Sequence, residues 1–68
     1  MKEVNVMDKP KCKLIGKNGN IFNLLAIASN CLKKHNMEGR AAEMVNKVMK
    51  SNSYEEALVI IGQYVDIY

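Results

Sequence analysis

Tryptophan is absent from these 68 residues, proline and histidine occur once each, and there are only two cysteines. Each scarcity removes a class of function. One histidine with Cys12 and Cys31, and no CxxC pair, cannot supply the closely spaced ligands of a structural zinc site. Two cysteines are also too few for the disulfide framework of a small secreted domain, and both are expected as reduced, mostly buried thiols. Apolar runs such as residues 24 to 28 fall far short of the roughly 20 residues a membrane span requires. The start, "MKEVNVMDK", is too charged for a signal peptide, so a soluble, cytoplasmic protein is expected. The phosphate-loop pattern G-x-x-x-x-G-K-[ST] has no counterpart here, which removes the usual nucleotide-hydrolysing machinery.

The apolar content, by contrast, is high. At 49% of so short a chain it exceeds what one small core needs, because a domain of this size buries only about 60% of its unfolded surface. Self-association is therefore expected. Charge is uneven within a net of +3: residues 9 to 17 hold Lys9, Lys11, Lys13 and Lys17 without an acid, whereas residues 51 to 68 hold Glu55, Glu56 and Asp66 without a base. A basic N-terminal face and an acidic third helix suit an anionic ligand or a head-to-tail contact between subunits.

Periodicity predicts a single α+β domain, mainly α, with a strand or short hairpin within about residues 2–22 and three helices. Val4 and Val6 give a weak strand signal over 2–6. "KCKLIG" alternates more clearly and predicts a half-buried strand over about 11–16, with Cys12 and Leu14 on the inner face. "GKNGN" follows. Asn18-Gly19 is a hairpin signal that would pair residues 20–22 back on the strand, while Asn20 is also a good N-cap. Helices are predicted over about 21–35, 40–50 and 54–65. Their apolar stripes are Ile21, Leu24, Leu25, Ala28, Cys31 and Leu32, then Ala41, Met44, Val45 and Val48, then Tyr54, Ala57, Leu58, Ile61, Tyr64 and Val65. Asn36 or Gly39 should close the first helix, and Ser53 with Glu56 forms a capping box for the third. Val59 and Ile60 lie beside the third stripe and widen it, and "VDIY" could end as a short strand.

The blocks "CKLIG", "GNIFNL" and "SYEEAL", which lie within residues 11 to 65, resemble those of small proteins of unassigned function found in phages, prophages and mobile elements of Gram-positive bacteria. The resemblance implies an accessory protein in the cytoplasm of a bacterial host cell, of a kind that often looks like a counter-defence factor. It transfers no functional residue.

Catalysis is not expected. Cys31 and His35 share a helix face, but no third group orients the imidazole and Cys31 lies on the apolar stripe. Glu55 and Glu56 diverge by about 100° around their helix, a poor acid–base pair. They would also meet the phosphates if the helix pair joined at residues 51–53 entered a DNA groove. What remains is an anion site without chemistry or cofactor: backbone N–H groups at the start of the first helix, with Lys11, Lys13, Lys17, Asn18 and Asn20 as polar contacts and Phe22, Tyr54 or Tyr64 as a stacking surface. The leading expectation is a homo-oligomer that sequesters a phosphate-containing nucleotide signal. The alternatives are a protein-binding inhibitor or adaptor of a host defence protein, including the anti-CRISPR type, and a small DNA-binding regulator.

Overall fold

A computed structural model describes residues 9 to 68; the weak strand expected around Val4 and Val6 lies outside them. The order is β1 (Lys11–Cys12), α1 (Ile21–Lys34), α2 (Glu38–Met49), α3 (Tyr54–Tyr64) and β2 (Asp66–Ile67). None of these helices is long and apolar enough to cross a membrane.

Local chemistry sets the helix ends. The Asn20 side chain accepts the Phe22 N–H at 2.8 Å and starts α1, and Lys33 and Lys34 lie in its last turn, where cations complement the helix dipole. Asn36 ends it in the left-handed region at φ 61°. Its N–H reaches the Lys33 carbonyl while that of Met37 reaches back to Leu32, the paired bonds of a Schellman cap. Because Asn36 closes the turn, Gly39 is freed from capping and falls inside α2, which begins two residues earlier than its apolar stripe suggests. In α3 the Ser53 hydroxyl accepts the Glu56 N–H at 3.0 Å, and the Glu56 carboxylate accepts the N–H of Asn52 rather than that of Ser53. Ser53→Ala should therefore lower stability by about 1 kcal/mol in urea denaturation; no change in the unfolding midpoint would mean that this hydroxyl does not hold the helix start.

The three apolar stripes meet in one core. Leu24, Leu25, Ala28 and Leu32 of α1 pack with Ala41, Met44 and Val48 of α2 and with Ala57, Ile61 and Tyr64 of α3. Cys12, Leu14 and Val65 cover the end of this core from the strand side. Val59 stays outside it, 63% exposed.

The sheet corrects the hairpin expectation. Residues 20–22 do not return along β1; β1 pairs in parallel with β2, Lys11 opposite Asp66 and Cys12 opposite Ile67. A parallel pair needs a long crossover, and here all three helices provide it. β1 is also shorter than the alternation over 11–16 suggests. Its partner offers only two residues, and the Tyr68 carbonyl then accepts from both Leu14 and Ile15, which ends the ladder. Lys9 adds a bond from its ammonium to the Gly62 carbonyl at 2.8 Å, tying the chain before β1 to α3.

Candidate functional site

The stretch between β1 and α1 is a built turn rather than a loose loop. Leu14 is buried and Ile15 points out, 69% exposed, on the same side as Lys11 and Lys13. The Lys17 N–H returns to the Leu14 carbonyl at 3.1 Å, with Gly16 at φ +89°, as the third position of a type II turn requires. Positive φ thus falls on Gly16 and not within the Asn18-Gly19 pair. The next residues fold on their own amides. Asn18 accepts the Asn20 N–H through its side chain at 2.9 Å, and its carbonyl accepts from the Asn23 amide at 3.0 Å. The Gly19 carbonyl accepts the Tyr54 hydroxyl, which fastens the turn to the first residue of α3.

That last bond creates the site. Between the turn and α3 lies a hollow of about 330 Å³ lined by Leu14, Ile15, Lys17, Gly19, Leu24, Tyr54, Leu58 and Ile67. On the other side of Tyr54 a second hollow of about 340 Å³ is walled by Ile21, Phe22, Val48, Met49 and Ala57, with Ser51, Asn52 and Ser53 at the α2–α3 connection. Phe22 and Tyr54 remain 62% and 46% exposed. Apolar walls with one ammonium and one tethered phenol can hold a flat, partly apolar anion.

The sequence-derived residues divide into groups. Lys17, Phe22 and Tyr54 line the hollows, while Asn18 and Asn20 flank Gly19 in the turn and line neither. Asn18 and Asn20 act differently from expectation, since each commits its side-chain oxygen to a turn N–H. Lys11 and Lys13 lie on the exposed side of the strand leading in, and the Lys13 ammonium sits 5.8 Å from the centre of the Tyr68 ring. Tyr64 is elsewhere. It is 4% exposed at the far end of α3, so its ring is core and presents no stacking face. Its hydroxyl donates to Glu43 at 2.8 Å, and Arg40 and Lys47 lie 5.6 and 5.3 Å from its ring centre. That hydroxyl, followed by Lys47, holds the Glu43 carboxyl below the usual carboxylate range. Ile15, Leu58 and Ile67 join the site without having been singled out. The one advance signal among them was Ile15, an apolar residue on the lysine side of the strand.

The Cys31–His35 pair is also resolved geometrically. The imidazole Nδ1 donates to the Cys31 carbonyl at 2.8 Å, while the Cys31 thiol faces Cys12. The two side chains that would have formed a nucleophile–base pair are engaged with other partners. Compared with protein-family models, with curated proteins and with solved structures, the chain matches none, so its own geometry has to carry the functional reading.

Proposed function

We propose that the chain is a non-enzymatic accessory protein of a phage or mobile element that binds and sequesters a phosphate-containing nucleotide signal, acting as a homo-oligomer in counter-defence. The observation that carries this reading is the tether from Tyr54 to Gly19. It fixes an aromatic ring and Lys17 on the walls of one apolar hollow, with Lys13 and Lys11 on the strand leading to it. A base would lie against Tyr54, and the phosphate would face the lysines. The proposal places Val59, exposed on α3, in the contact between subunits.

Calorimetry against mono-, di- and cyclic nucleotides tests the proposal. At least one should bind, more weakly as salt is raised. Lys17→Glu and Lys13→Glu should abolish that binding with the helical circular dichroism unchanged, because exposed lysines contribute little to stability. If no nucleotide binds, or both reversals leave binding untouched, the reading fails. The protein-partner reading would then lead, since Ile15, Phe22, Met49 and Tyr54 form apolar surface around the same turn.

A further inference from the structure

Cys12 and Cys31 are the reactive groups that the proposed site does not use. The sequence separates them by 19 residues, one on a strand and one on a helix, yet their sulfurs lie 2.7 Å apart. Both are free thiols. A disulfide bond is about 2.05 Å long, so the sulfurs are already within a fraction of an ångström of bonding distance. We propose that Cys12 and Cys31 are a redox-active dithiol, which a peroxide converts to an intramolecular disulfide that fastens β1 to α1.

The two sulfurs are not equivalent, and the difference sets the order of events. Cys12 is buried beneath the β1–β2 ladder, whereas Cys31 is half-buried and open to a small oxidant. Burial, reinforced by the adjacent Cys31, pushes the Cys12 thiol up to about 12, so it stays protonated at neutral pH. Cys31 is the entry point. Its sulfur attacks one oxygen of hydrogen peroxide, the O–O bond breaks, and the departing oxygen leaves as water with the Cys31 proton. Cys31 is then a sulfenic acid. The Cys12 sulfur attacks the Cys31 sulfur, the S–S bond forms, and the hydroxyl leaves with the Cys12 proton as a second water. Two thiols lose two electrons and one peroxide gains them. Because Cys12 lies between Lys11 and Lys13, the bond also fixes the strand that carries those lysines.

The test uses the intact chain and hydrogen peroxide, followed by removal of the oxidant and mass spectrometry. The expected product has lost two hydrogens, runs as a single chain without reductant, and yields one cross-linked peptide pair joining Cys12 to Cys31. Dithiothreitol should restore the original mass. Closing this loop should raise the thermal midpoint by on the order of 10 °C, and the rise should vanish on reduction. In Cys31→Ser the buried Cys12 should remain unmodified under the same treatment; rapid oxidation of Cys12 in that variant would overturn the assignment of Cys31 as the entry thiol. Two alkylatable thiols after treatment, oxygen adducts as the end product, or disulfides only between chains would overturn the proposal. None of these readouts involves a nucleotide, so failure here and failure of the sequestration reading are separable.

Discussion

Ile61→Asp is expected to leave the chain unfolded. Ile61 is fully buried in the core that the three helices share, a cluster that also holds Leu32, Met44 and Ala57. The substitution removes an aliphatic side chain from that core and places a carboxylate among apolar side chains, where none of the described buried residues is polar or charged. The combined cost is on the order of 5 kcal/mol or more, comparable with the whole stability of a small domain. Loss of helical circular dichroism at neutral pH is the expected result. Position 59 provides the contrast. Val59 lies two residues away and faces outward, so Val59→Asp should keep the helical signal, and if subunits associate through this face it should lower the sedimenting mass. An Ile61→Asp protein that stays folded and merely changes its oligomeric state would show that the stripe of α3 faces a partner instead of the core.

The contrast between these two neighbours was only partly legible in the sequence. Three-to-four spacing identified Ile61 as inward and Val59 as lying beside the stripe, because helical periodicity is a local property. Caps were legible for the same reason: Asn20 and Ser53 each bond an N–H two or three residues on. The end of α1 left Asn36 and Gly39 as equal candidates. The backbone chose Asn36, since its position aligns the Met37 N–H with Leu32 and packs Met37 on the core. Both strands were legible, in "KCKLIG" and "VDIY", but their pairing was not. A parallel pair between opposite ends of the chain has no connecting turn to announce it, and Asn18-Gly19 announced a different one. Those residues instead form side-chain turns that deliver Asn20 to its cap. Tyr64 misled for a related reason: an aromatic on a stripe can be core or contact, and only its burial and its bond to Glu43 settle which. Part of the candidate site was equally hidden, because Leu58 and Ile67 reach the turn through tertiary packing alone.

That dependence of the site on the far end of the chain leads to the second large effect, from removing residues 66 to 68. At least four backbone bonds would go: Asp66 N–H to Pro10, Tyr68 N–H to Cys12, and the Leu14 and Ile15 N–H groups to Tyr68. At about 1 kcal/mol net apiece the loss is on the order of 4 kcal/mol, and Ile67, packed against the core, goes with them. The helices retain their caps and most of their mutual contacts, so the damage should concentrate on β1 and the turn. Cys12 should become reactive toward iodoacetamide at neutral pH, where the parent protein labels at Cys31 alone. The Leu14 and Ile15 amides should exchange with deuterium much faster than those of α1. Tyr68→Ala separates backbone from side chain: it keeps the carbonyl that both amides use and removes only the ring beside Lys13, so it should cost far less than the deletion. If the deletion shifts the urea midpoint no more than Tyr68→Ala does and Cys12 stays protected, β2 is not what holds the strand. Lys11, Lys13 and Lys17 would then owe their placement to the core contacts of Cys12 and Leu14 alone.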